Sequence, residues 1–228
     1  MTYWYTQPNA YDYIQSDIES KLHTYLNKEA NDIRNIFIVG AYHGYEIAKL
    51  LHNYPYAVIN AFEAVQEHYK ILEIGYKANN RVNLFNCAVS DVDEQLNFFE
   101  LENGGEGSGS LLPFQGNEYG HPFKIKKKFA VPSITLAKLF PNQKIDLLWV
   151  DVQGAELLVL KGTNLNNVHS LFLEIHTKDY IKLWDKEPYK GQCYKEDLEN
   201  YLVNFELHSI GLDNANGNGQ GNSFWIKK

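Results

Sequence analysis

The stretch "LLWVDVQGAELLVLKG", residues 147–162, decides the fold. Leu147 to Val150 form an apolar run that ends on Asp151, and after Gln153, Gly154 and Glu156 the apolar residues return at helical spacing. A strand that is apolar on both faces belongs inside a parallel sheet. The C-terminal edge of such a sheet is where open α/β folds hold ligands. An acid at that edge is either a helix cap or a working group, and the residues of this stretch leave both readings open.

The flanking sequence repeats the pattern. Helical spacing marks Tyr11–Lys28, Tyr45–Leu51, Val65–Tyr76, Leu136–Phe140, Ala155–Leu160 and Lys195–Phe205. Strands are expected at Ile36–Val39, Tyr56–Phe62, Val82–Val89, Gln95–Leu101, Phe129–Ile134, Ile145–Val150 and Val168–Ile175. Leu207–Leu212 and Ser223–Lys227 form a closing antiparallel pair around an Asn- and Gly-rich loop. Strands alternating with helices predict an α/β protein, with a mostly parallel central sheet and helices on both faces. Residues 1–32 read as an N-terminal helical segment and 33–228 as the main domain, with no linker or repeat between them. Asn103 to Pro122 is a Gly- and Ser-rich loop, long enough to expect a functional role.

Composition narrows the function. The 228 residues carry 28 acids against 21 bases, a net charge of −7, which disfavours a dedicated nucleic-acid binder. The basic run Lys124–Lys128 reads as a solvated strand or hairpin edge. Two cysteines, Cys87 and Cys193, make neither a disulfide framework nor a zinc spacing. No basic and apolar leader opens the chain, and no stretch approaches the ~18 apolar residues of a membrane helix. A cytoplasmic protein is the expectation.

The first strand runs into Gly40-Ala41-Tyr42-His43-Gly44, with Glu46 just beyond, and Glu63 ends the second strand 23 positions after Gly40. Glycines at a strand-to-helix turn let the backbone come close to a ligand, and an acid at the next strand end suits a ribose diol. Tyr42 and Tyr45 stand where a dinucleotide fingerprint needs glycine, which argues against NAD. Glu174 and His176 lie two apart at a strand end and so share a face. Beside Asp151 they read as a general-base or metal cluster, or as a satisfied buried Glu with a rim His. His23, His52, His68, His121, His169 and His208 are scattered and read as structural or surface residues.

The motifs "IFIVGAYHGYE", "AFEAVQEHYKILE", "VNLFNCAVSD", "GSGSLL", "VPSITLAKLF", "LLWVDVQGAELLVLKG" and "LFLEIH" occur in the order of FkbM-type methyltransferases, which the chain resembles over about residues 33–227. The resemblance implies a Rossmann-like class I methyltransferase fold, S-adenosylmethionine as cofactor, and O-methylation of a sugar or other small hydroxylated acceptor. By position it places Gly40, Ala41, Tyr42, His43, Gly44 and Glu46 in the cofactor loop and Glu63 with Ala64 at the ribose. Ala88, Val89 and Ser90 fall on the adenine side, Asp151 near the reacting methyl, and Glu174 and His176 toward the acceptor. The catalytic candidates are Asp151, His176 and Glu174, with a divalent metal as an alternative means of activating the hydroxyl. Ser108 and Ser110 would belong to an acceptor lid. The family commonly has an acid two residues before the first glycine; here that position is Ile38, so Glu46 or Asp151 must supply the charge. A nucleoside-binding module without catalysis and another Rossmann-type enzyme are the rival readings.

Overall fold

The computed structural model describes residues 10–27, 32–102, 107–115, 124–179, 187–212 and 219–228. The chain opens with α1 (Ala10–Leu26), β1 (Asn35–Val39), α2 (Tyr45–Asn53), β2 (Val58–Phe62), α3 (Gln66–Tyr76) and β3 (Val82–Phe85). It continues with β4 (Ala88–Val89), β5 (Gln95–Leu101), β6 (Ile125–Ile134), α4 (Leu136–Leu139), β7 (Ile145–Val150) and α5 (Glu156–Lys161). It closes with β8 (Val168–His176), α6 (Lys195–Tyr201), β9 (Phe205–Leu212) and β10 (Gln220–Lys227).

Seven strands make the main sheet in the order β3-β2-β1-β7-β8-β10-β9. The first five are parallel, and β10 runs antiparallel between β8 and β9. The expected parallel sheet with an antiparallel closing pair is therefore present. The chain winds outward from β1 to β3, then returns to the other side of β1 with β7. That reversal leaves a crevice between β1 and β7 at their C-terminal ends.

Alternation along β1 explains why both faces are covered. Phe37 and Val39 join Leu148, Val150, Leu171 and Leu173 on one face, under Val159 and Leu160 of α5. Ile36 and Ile38 join Leu147, Trp149 and Phe172 on the other, under Ile18, Leu22 and Leu26 of α1.

Two expectations are corrected. Val82–Val89 is not one strand: it breaks at Asn86-Cys87, and β4 leaves the main sheet to pair with β6 in a three-stranded sheet ordered β4-β6-β5. The break is held by the Asn86 amide, which donates to the carbonyls of Glu63 and Ala64 at 2.9 and 3.4 Å. The strand expected at Phe129–Ile134 begins earlier, at Ile125, because the lysine run pairs antiparallel with β5. The lysines of the run are exposed, and two of them form ion pairs, Lys126 with Glu100 at 2.9 Å and Lys127 with Glu67 at 3.8 Å.

Candidate active site

Register brings the separated motifs together. Val39 is opposite Phe62 on one side and Val150 on the other, so Gly40, Glu63 and Asp151 follow side by side at one sheet edge. Gly40 has φ 85°, and a Cβ there would lie 1.8 Å from the Asp151 carbonyl oxygen. The two chain exits can be this close only because residue 40 is glycine. Gly44 serves a different packing need: it opens α2 at φ 82°, and a Cβ would meet the Tyr76 ring at 2.6 Å.

A cavity opens at this edge. Gly40, Tyr42, Glu46, Glu63, Ala64, Ala88, Val89 and Asp151 line it. Phe98 and Val65 form much of its apolar side, with Gly107, Gly109 and Leu111 from the loop after β5. Trp149, stacked on Phe172 at 4.0 Å, contributes a further aromatic surface.

Glu63 is buried, and both of its oxygens are fixed by backbone donors. Oε2 accepts the Tyr42 amide and Oε1 the Val65 amide, each at 2.8 Å. The donors come from the glycine loop and the start of α3, so the carboxylate is held between the turns after β1 and β2. His68 Nδ1 lies 3.8 Å from Oε1, and its ring meets Tyr42 edge-on at 4.6 Å. His68 lines the cavity and was not singled out in the sequence. Its only signal is its place in the first turn of α3, which the lone-histidine reading passed over.

Asp151 does not cap α5. Glu156, the first residue of α5, ties down the turn before the helix, its Oε1 accepting the amides of Val152 and Gly154 at 3.2 Å each. Asp151 Oδ1 instead accepts Gln153 Nε2 at 2.8 Å, and its carboxyl hydrogen-bonds that of Glu174. Burial pushes the Asp151 carboxyl above the usual range, against the hydrogen bonds from Gln153 and Glu174. Burial likewise raises Glu46 and takes Glu156 up to about 7, and the Asp151 charge adds to both. The cavity end at Asp151 is therefore a concentrated acidic environment in low dielectric, favourable to a cationic guest.

The other expected residues sit behind or beside this cavity. Ala41 is in the core with Ile47 and Leu50, and Ser90 is buried with its hydroxyl toward Asp91 at 3.0 Å. His43 stacks on Tyr42 at 3.8 Å. Neither these three nor Gly44 lines the cavity. Glu174 is buried under Asp151 and accepts Gln220 Nε2. His176 is fully enclosed opposite Gln220, and burial lowers it to about 4, so it is neutral at ordinary pH. The expected face-sharing pair of Glu174 and His176 is thus split in function: Glu174 touches Asp151, while His176 does not reach the cavity wall. Ile38 is buried against the α1 side of the sheet, and the acids that line the cavity are Glu46, Glu63 and Asp151.

Ser110 is a fixed point rather than an open loop tip. It pairs with Phe99 through both backbone groups, and its hydroxyl reaches the carbonyls of Val152 and Gln153 at 3.2 and 2.9 Å. Residues 103–106 and 116–122 of the expected lid, and His121 with them, lie outside the described residues. Among the described residues, no three His, Cys, Asp or Glu side chains gather as a metal ion requires. No described helix is long and apolar enough to cross a membrane.

Similarity to known proteins shows the family and the fold. The 2-O-methyltransferase NoeI of Sinorhizobium fredii (strain NBRC 101917 / NGR234) is 28% identical over 140 residues, which is 56% of this chain and 54% of that protein. The chain thus spans about half the length of the curated relative it matches. The crystal structure of magnesium protoporphyrin IX methyltransferase (ChlM) from Synechocystis PCC 6803 with bound S-adenosylmethionine superposes with a TM-score of 0.51 at 11% identity, covering 98% of this chain and 86% of that one. Residues 961–1257 of the StiE O-methyltransferase give a TM-score of 0.52 at 10% identity, covering 91% and 58%. At these identities the structures show the fold, a Rossmann-like class I methyltransferase fold. The Methyltransferase FkbM domain family matches residues 39–192, more than half of the chain, and the protein belongs to that family of methyltransferases.

Proposed function

We propose that the protein transfers a methyl group from S-adenosylmethionine to a hydroxyl of a sugar or other small hydroxylated acceptor. The observation that carries this reading is the convergence of Glu46, Glu63 and Asp151 on one cavity with an apolar side. Bound there, S-adenosylmethionine supplies an electrophilic methyl on a sulfonium.

The residues present suit that cofactor. Each Glu63 oxygen accepts one amide hydrogen and retains lone-pair capacity for a ribose hydroxyl. Ala64, Val65, Ala88, Phe98 and Leu111 offer an apolar slot for a purine. Glu46 and Asp151, both disfavoured as anions by burial, gain from a cationic guest.

Asp151 is the group we assign to proton uptake. Its raised affinity for a proton brings it nearer the working pH, where a general base is most effective. It accepts the acceptor's hydroxyl proton, and Glu174 behind it stabilises the arrangement by hydrogen bonding. The walls from Phe98, Leu111 and Trp149 exclude water and help to align the reactants, which accounts for much of the rate in a displacement. The O-methylation named for NoeI and StiE supports a hydroxyl acceptor here.

Ile38 favours a second reading, a nucleoside-binding module without catalysis, because the acid common in the family is replaced by a core residue. Calorimetry with S-adenosylhomocysteine, followed by transfer of a labelled methyl to a panel of sugars, separates the two. Binding with transfer supports the enzyme, and binding with no transfer to any hydroxylated acceptor supports the module. Binding of NAD without S-adenosylhomocysteine would refute both.

A further inference from the structure

The turn after β7 contains a side chain whose role goes beyond making the turn. Gln153 has φ 56°, a left-handed conformation that non-glycine residues rarely adopt. Its side chain is buried and engaged at both ends. Nε2 donates to Asp151 Oδ1 at 2.8 Å, and Oε1 accepts the Tyr189 hydroxyl at 3.3 Å. The single hydrogen of that hydroxyl is shared with the nearer Ser108 carbonyl, at 2.7 Å. Ser110 Oγ meanwhile donates to the Gln153 carbonyl at 2.9 Å. The cavity wall at residues 108–110 is therefore fastened to the Asp151 turn by two routes.

Strain at a ligand edge is a reason to look for function. A turn alone would be served at lower cost by Gly or Asn. The side-chain amide at this place does what Gly cannot. It gives Asp151 a donor that never ionises, and its orientation is set because an ionised Asp151 carboxylate only accepts, so the amide nitrogen must face it and the oxygen falls toward Tyr189. The titratable groups around Asp151 are Glu46 from α2, Glu156 from α5 and Glu174 from β8. Glu46 and Glu156 oppose its negative charge, and Glu174 shares a hydrogen bond with it. Gln153 is the neutral donor in this set.

We propose that Gln153 is a positioning residue for Asp151, and that Tyr189 locks it by tying its amide to the cavity wall at Ser108. The proposal rests on the assignment of Asp151 to proton uptake. It predicts that the ionised form of Asp151 depends on Gln153 directly and on Tyr189 at one remove.

The test follows the Asp151 carboxyl carbon by NMR in the ligand-free full chain, its signal identified by loss in Asp151→Asn. Gln153→Met removes the donor and keeps the length, so the Asp151 midpoint should rise by about one pH unit. Tyr189→Phe should raise it by less, and should also speed amide exchange at residues 107–112. Gln153→Glu, which adds an acid in the same space, should raise it at least as far as Gln153→Met. Midpoints that coincide with wild type in Gln153→Met and Gln153→Glu overturn the proposal. A Tyr189→Phe protein with unchanged midpoint and unchanged exchange overturns the lock. Calorimetry of the wild type with S-adenosylhomocysteine keeps the two ideas apart: absence of binding refutes the methyltransferase reading, and the titrations still decide whether Gln153 positions Asp151.

Discussion

Glu156 accepts the amide hydrogens of Val152 and Gly154, in the turn between Asp151 and α5, while Asp151 itself caps no helix amide. Had Asp151 been the cap, its place at the strand end would need no chemical explanation. Its partners are instead the Gln153 amide and the Glu174 carboxyl, beside a cavity.

Asp151→Asn should therefore keep the fold and lose the reaction. The Asn oxygen can still accept from Gln153, and its amide can donate to Glu174. Removing a charge that burial disfavours should leave the melting temperature equal to or above that of wild type. Turnover should fall ~100-fold or more, the scale for a positioned acid–base group. A near-normal single-turnover rate would remove Asp151 from the chemistry.

Glu63→Ala tests the cofactor end. Loss of hydrogen bonds to a charged acceptor should weaken S-adenosylmethionine binding by about 1.5–3 kcal/mol. The substitution also leaves the Tyr42 and Val65 amides without their acceptor, so Glu63→Gln is the better-controlled companion. Gln keeps one acceptor oxygen and should fall between Ala and wild type. Calorimetric affinities equal in all three proteins would exclude Glu63 from the ribose.

The sheet was legible because its central strands are apolar on both faces, and buried parallel strands can be little else. The edge holding Gly40, Glu63 and Asp151 followed from the strand ends alone. What escaped the sequence depends on contacts across the fold. The break at Asn86 arises because its amide reaches the Glu63 and Ala64 carbonyls, 22 or more residues away. The lysine-rich start of β6 pairs through its backbone with β5, so its side chains carry no apolar alternation to reveal it. Glu156 reads as an ordinary helix acid until the positions of Val152 and Gly154 are known. Gln153 and Tyr189 meet across 36 residues of sequence.

Gly40→Ala should be among the most damaging single substitutions. A methyl group would enter the Asp151 backbone, which cannot rotate away as a flexible side chain can, and φ 85° adds strain. A loss of at least ~3 kcal/mol is expected. Gly191→Ala is the control, since it has a similar φ of 77° but no atom of the described residues within 4 Å of the added methyl. Denaturant midpoints should fall far more for Gly40→Ala. Equal losses would mean that the backbone angle, not the approach to Asp151, sets the cost.

Glu156 makes a prediction about pH. Burial, with the Asp151 charge, raises its folded affinity for a proton to about 7, against 4.5 for an ordinary Glu. Between those values the folded state holds more protons than the unfolded chain, so this group's contribution to stability falls as pH rises. The cost is absent below the unfolded value and complete above the folded one. His176 works in the opposite sense: burial lowers it from 6.5 to about 4, so its contribution rises with pH across that window. The wild-type curve alone therefore mixes the two, and the difference from Glu156→Gln isolates the carboxyl. A Gln oxygen can still accept the Val152 and Gly154 amides, so the turn before α5 keeps these hydrogen bonds. Urea unfolding from about pH 5 to about pH 8 should show Glu156→Gln gaining on wild type as pH rises, then levelling above neutrality. A stability difference that stays constant over this range would mean that Glu156 is ionised throughout, and that the amides it accepts compensate its burial.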